Sequence, residues 1–87
     1  MKREFLILGK EKCYFTDKII KYLEDHEDEF SKKVYYVNID FQEREFRDKF
    51  GTTSTYPRVY LIKKNGKMDY LGGADNTISI LEKQFST

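Results

Sequence analysis

Phe5-Leu6-Ile7-Leu8-Gly9-Lys10-Glu11-Lys12-Cys13-Tyr14-Phe15-Thr16 is the stretch that decides the fold. Its first four residues are a short continuous apolar run closed by Gly9, the pattern of a central strand covered on both faces. After Cys13 the period changes. Phe15, Ile19, Tyr22, Leu23, His26 and Phe30 recur at helical spacing, with Lys18, Lys21, Glu24, Asp25 and Asp28 on the opposite side. The spacing predicts an amphipathic helix of about four turns, starting within a residue or two of Cys13.

Working outward, residues 34–39 (Val-Tyr-Tyr-Val-Asn-Ile) are β-branched and aromatic and read as a second buried strand. Residues 41–50, with Phe46 and Phe50 four apart, read as a short helix ended by Gly51. Residues 59–62 form a third strand, and Lys64-Asn65-Gly66-Lys67 carries the Asn-Gly signal of a tight hairpin into a fourth, 68–71. Gly72-Gly73 breaks that strand, and Asp75 or Asn76 is expected to cap a last helix that buries Ile78, Leu81 and Phe85. The order β-α-β-α-β-β-α implies a parallel first strand pair with right-handed crossovers, plus an antiparallel hairpin. The expected architecture is a small three-layer α/β sandwich around a four-stranded mixed sheet, one domain spanning 1–87.

Composition narrows the function classes. Eighty-seven residues lie below the usual domain mode. Such a chain buries about 60–65% of its unfolded surface and leaves no room for a separate substrate domain. Sixteen basic residues balance fifteen acidic ones, for a net charge of +1, which argues against nucleic acid as a partner. No apolar run approaches the ~18 residues of a membrane span. The opening Met1-Lys2-Arg3-Glu4 and the short apolar run after it lack the features of a signal peptide, so a cytoplasmic location is expected. With one cysteine and one histidine, neither an internal disulfide nor a zinc site from protein ligands alone can form. Cys13 acts alone or with a thiol from another molecule.

A lone cysteine is most simply a small buried hydrophobe. Its position argues for more. Cys13 falls where a strand and a short loop give way to a helix, so free amides and the positive helix end favour its anion. Lys10 and Lys12 add positive charge. Such settings draw a thiol from about 8.5 into the ~3.5–7.5 range. Pro57, the single proline, stands just before the third strand in Thr55-Tyr56-Pro57-Arg58. A cis Tyr56-Pro57 bond there would leave the Tyr56 backbone free for a bound peptide; an ordinary strand-entry proline is the simpler alternative. Gly72-Gly73-Ala74-Asp75-Asn76 precedes a helix start, which suits a carboxylate, though glycine pairs often merely punctuate turns.

Taken in order along the chain, Lys10-x-x-Cys13, Thr55-Tyr56-Pro57 and Gly72-Gly73-x-Asp75 resemble a glutaredoxin, in the thioredoxin fold. The resemblance implies glutathione-dependent thiol–disulfide exchange, with glutathione as reducing co-substrate and no metal. Cys13 would be the nucleophile that takes glutathione from a glutathionylated protein or a small disulfide. Lys10 would pair with the glycine carboxylate, and the Tyr56 backbone would bind the cysteinyl part as a short strand addition. Thr55, Pro57 and Gly73 would line the same site, and Asp75 and Asn76 would hold the γ-glutamyl end. Arg44 or Arg47 is a further candidate for the glycine carboxylate. A monomer is expected.

The sequence departs from the family pattern at Cys13-Tyr14-Phe15-Thr16, where C-P-Y-C or C-G-F-S usually stands. Thr16 replaces the resolving cysteine, which leaves a monothiol route, and its hydroxyl is a candidate donor to the Cys13 thiolate. Tyr14 replaces the proline and can cover the site as an aromatic lid. Two other readings compete. In one, a homodimer holds a [2Fe–2S] cluster through Cys13 and glutathione thiolates. In the other, the chain is a redox-inactive thioredoxin-fold adaptor. His26 is expected to be a packing or surface residue, and the acidic run 24–29 a solvated helix end.

Overall fold

The computed structural model describes residues 2–85, with the Phe85 side chain outside the described set. Strand β1 (Arg3–Gly9) puts Phe5 and Ile7 on one face, both fully buried, and Leu6 and Leu8 on the other, half-buried. Helix α1 (Tyr14–Asp25) follows, then β2 (Phe30–Tyr36), α2 (Glu43–Phe50), β3 (Arg58–Ile62), β4 (Met68–Gly72) and α3 (Ala74–Phe85). The sheet runs β2-β1-β3-β4, with β1 and β2 parallel and the other pairs antiparallel. This is the expected mixed sheet and element order.

Helices α1 and α3 cover the Phe5/Ile7 face. Ile19 and Leu23 of α1, Ala74 and Leu81 of α3, Phe30 of β2 and Val59 of β3 close the core there. Each of the larger ones (Ile, Leu, Phe, Val) contributes about 1.5–3 kcal/mol on full burial. Helix α2 lies on the opposite face, where Phe50 meets Tyr60 of β3 with ring centroids 6.5 Å apart. A cleft of about 230 Å³ remains beneath α2, bordered by Leu8, Tyr35, Phe41 and Phe46.

Several boundaries differ from the sequence reading. Phe30 begins β2, paired with Arg3 of β1, instead of ending α1, which stops at Asp25. Phe30 mimics helical spacing because its ring returns to the same core, edge-on to Phe5 at 5.4 Å. His26 closes α1, its Nδ1–H donating to the Tyr22 carbonyl at 2.8 Å. Strand β2 ends at Tyr36, three residues early. There the Tyr36 amide donates to Asp40 Oδ2 at 2.7 Å and Asn38 turns left-handed at φ 65°, which leaves Ile39 exposed. Helix α2 starts at Glu43, and Gly51 ends it at φ 102° as expected.

Candidate active site

Strand register brings the three motifs to one end of the sheet. Leu8 pairs with Arg58, and Val59 with Gly72. The loop after Gly9, the Tyr56-Pro57 segment before β3 and the Gly72-Gly73 segment after β4 therefore leave the sheet side by side. A Cβ on Gly73 would lie 3.7 Å from the Pro57 carbonyl oxygen, which puts the last two in direct contact. The Tyr56-Pro57 peptide bond is cis. The Tyr56 amide and carbonyl make no hydrogen bond among the described residues, the outcome attached to the cis alternative of the two that the sequence left open.

Cys13 occupies the N-cap of α1 in extended backbone conformation (φ −105°, ψ 122°), after a left-handed Lys12 at φ 55°. The residue is half-buried. The neutral thiol makes no cap bond of normal geometry. Its anion is nevertheless favoured. Partial burial pushes the thiol up, but the Thr16 hydroxyl, the Thr16 and Phe15 amides and the Lys10 charge together outweigh it and hold Cys13 below the ordinary thiol range. Those two amides belong to the second and third helical residues, the free donors that an N-cap group normally takes. Lys10 is the lysine that acts on the sulfur.

Thr16 is fully buried and its Oγ1 accepts the Lys10 amide at 3.2 Å. With that lone pair engaged, the hydroxyl proton is free to point at Cys13. The arrangement depends on Gly9: a Cβ there would fall 2.5 Å from Thr16 Cγ2 and 3.1 Å from Oγ1. Sequence reading singled out Thr16 but gave Gly9 only the duty of ending a strand.

The remaining predicted residues fall as follows. Tyr14 is 70% exposed and stands edge-on to Phe15 at 5.1 Å, at the rim of the site. Lys10 and Thr55 are exposed, and Pro57 is buried. The Tyr56 ring turns inward, stacked on Phe46 at 4.4 Å with the Arg47 guanidinium 5.6 Å from its centroid. Asp75 and Asn76 do not cap α3, which starts one residue earlier at Ala74; the Gly73 carbonyl accepts the Thr77 amide at 3.0 Å and takes the capping position. Asn76 Nδ2 donates to the Leu71 carbonyl at 2.7 Å, bracing the glycine turn, while Asp75 pairs with Lys18. Arg47 is committed to the Ser54 carbonyl and to Glu43 Oε1 at 3.4 Å, so it braces the loop ahead of Tyr56. Arg44 pairs with Asp48 at 4.0 Å in solvent.

Comparison with solved structures gives the architecture a name. Reduced Escherichia coli glutaredoxin superposes over 97% of this chain and 99% of its own, with a TM-score of 0.68 at 12% identity. The chain has the glutaredoxin form of the thioredoxin fold. G4, a poxviral disulfide oxidoreductase essential for cytoplasmic disulfide bond formation, superposes over 95% of this chain and 94% of its own, with a TM-score of 0.59 at 13% identity. No protein-family model and no curated protein matches the sequence. The glutaredoxin fold is therefore kept at a sequence distance where residue roles rest on this chain's own geometry.

Proposed function

We propose that this protein is a glutathione-dependent thiol–disulfide oxidoreductase that works through Cys13 alone. The observation that carries the reading is the half-buried Cys13, set at a helix N-terminus with the Thr16 hydroxyl and Lys10 favouring its anion, at the sheet end where the Tyr56 backbone makes no hydrogen bond among the described residues. A thiolate is the attacking species in disulfide exchange. With no second cysteine in the sequence, the mixed disulfide it forms must be resolved by an outside thiol.

The cycle has two exchanges. The Cys13 thiolate attacks the glutathionyl sulfur of a mixed disulfide, RS–SG; a Cys13–SG bond forms, the RS–SG bond breaks, and RS⁻ leaves to take a proton from water. A second glutathione, as thiolate, attacks the glutathionyl sulfur on Cys13; oxidised glutathione leaves and the Cys13 thiolate returns. The net reaction is RS–SG plus glutathione giving RSH plus oxidised glutathione. In both steps the leaving or attacking Cys13 sulfur is stabilised by the same Thr16 and amide donors. Lys10 is assigned to the glycine carboxylate, the Tyr56 backbone to the cysteinyl amide and carbonyl, and the first turn of α3 to the γ-glutamyl end. Thr55, Pro57 and Gly73 are assigned to the walls between them, and Tyr14 to a lid over the sulfur. The work needs one chain and a reducing, glutathione-rich compartment such as the cytoplasm; no helix among the described residues is long and apolar enough to cross a membrane.

The test is steady-state turnover of a small glutathione mixed disulfide, followed as oxidised glutathione formed, for wild type and Cys13→Ser. The reading requires turnover that saturates with the mixed disulfide and is abolished in the variant. Equal rates in the two proteins would reject it.

A further inference from the structure

Where α1 packs on α3, Lys18 Nζ lies 2.6 Å from Asp75 Oδ1. The pair joins residues 57 apart in sequence, at the end of the helices that carries Cys13. Both side chains remain accessible, at 40% and 64% exposure, so as a bare ion pair this contact adds little to stability. Lys18 Nζ also sits 5.9 Å from the centroid of Tyr14, one helical turn back, which fixes the ammonium on the site side of α1. Asp75 Oδ2 accepts no hydrogen bond among the described residues.

We infer that Lys18 and Asp75 together read the α-amino-acid head of the γ-glutamyl group, which makes Lys18 a specificity-determining residue. This rests on the reading of the protein as a glutathione-dependent oxidoreductase and names a contact for that substrate. An α-amino acid carries its ammonium and carboxylate on one carbon. Laid against the pair head to tail, its ammonium meets the open Asp75 oxygen and its carboxylate meets Lys18, so four charges alternate around a small ring. The charge inventory agrees: glutathione at neutral pH carries two carboxylates and one ammonium, and Lys10, Lys18 and Asp75 supply two cations and one anion. The alternative role for Lys18 is a lock, which occupies Asp75 and must be displaced before substrate binds.

Kinetics of the full chain separate the two, with three mixed disulfides of one small thiol as probes. Their peptide parts are glutathione, 4-aminobutyryl-cysteinylglycine (the same ammonium reach without the α-carboxylate) and cysteinylglycine. The expected result for Lys18→Gln is KM for the glutathione disulfide raised about fivefold with kcat within about twofold, and no change with the two truncated peptides. Asp75→Asn is expected to raise KM for both ammonium-bearing γ-linked peptides, and Lys18→Arg to restore most of the loss. A lowered KM in Lys18→Gln would overturn the inference in favour of a lock, and an equal loss with all three peptides would reduce Lys18 to a structural tie. Absence of turnover with wild type would remove the parent reading, and this contact with it.

Discussion

Thr16→Val isolates the group on which the Cys13 anion depends most directly. Valine keeps the methyl that lies against Gly9 and removes the hydroxyl that accepts the Lys10 amide at 3.2 Å and faces Cys13. A hydrogen bond to a charged group contributes about 1.5–3 kcal/mol, and one pKa unit corresponds to about 1.36 kcal/mol. Cys13 is only half-buried, so solvent screening places the effect at the lower end, a rise of about one unit. Rate then follows two opposed factors. On the acid side of the titration the thiolate fraction falls about tenfold, but a more basic thiolate is the better nucleophile, with a Brønsted slope of about 0.4–0.5, so the net loss is about three- to fourfold. On the alkaline side both proteins are fully ionised and the variant is about threefold faster. The two pH–rate profiles must cross. Ultraviolet thiolate absorbance against pH, with the second-order rate of reaction with a small glutathione mixed disulfide over the same range, gives both curves. Thr16→Ser, which keeps the hydroxyl, should lie near wild type. An unmoved titration in Thr16→Val, or profiles displaced by one constant factor at every pH, would refute the reasoning.

Gly9→Ala drives a Cβ to 2.5 Å from Thr16 Cγ2 and should cost about 1–3 kcal/mol in urea unfolding; a loss below about 0.5 kcal/mol would mean that Thr16 can move aside freely. Because the folded Cys13 thiol lies below its ordinary value, its stabilising share is absent at pH below the folded pKa and complete above about 8.5. Wild type should therefore gain stability over Cys13→Ser as pH rises through that window, and a difference flat in pH would contradict the lowered thiol. Tyr56→Phe removes a buried hydroxyl that has no partner among the described residues, so the unfolding midpoint should hold or rise by up to about 1 kcal/mol in stability; a clear loss would reveal a bond to that oxygen.

Punctuation carried much of what the sequence revealed. Gly51, Asn65-Gly66 and Gly72 take the positive-φ or turn positions expected of them, with Gly66 at φ 85° and Gly72 at φ 91°, because few other residues tolerate those conformations. The continuous apolar run Phe5-Leu6-Ile7-Leu8 likewise read as a central strand covered on both faces, and β1 is one, with Phe5 and Ile7 under α1 and α3 and Leu8 at the cleft beneath α2. Boundaries were less legible where two elements feed the same core. Phe30 fits the helical stripe of α1 and the inner face of β2 equally well, and only its pairing with Arg3 of β1 decides between them. At the site, Cys13, Thr16 and Pro57 could be read because each is a chemically distinctive residue at an element boundary. Lys18 could not: its role depends on a contact with Asp75 that the packing of α1 on α3 creates, and in sequence it is one lysine on a polar face. The contacts of Arg47 were not legible for a similar reason, since its donors go to the Ser54 carbonyl and Glu43.

Intact-protein mass spectrometry after exposure to a glutathione mixed disulfide reaches the heart of the account. Wild type should gain a single glutathionyl group, lose it on addition of free glutathione, and do both faster than a model thiol of ordinary pKa at neutral pH; Cys13→Ser should gain nothing. A wild-type protein that stays unmodified, or an adduct that free glutathione fails to remove, would contradict the proposed chemistry.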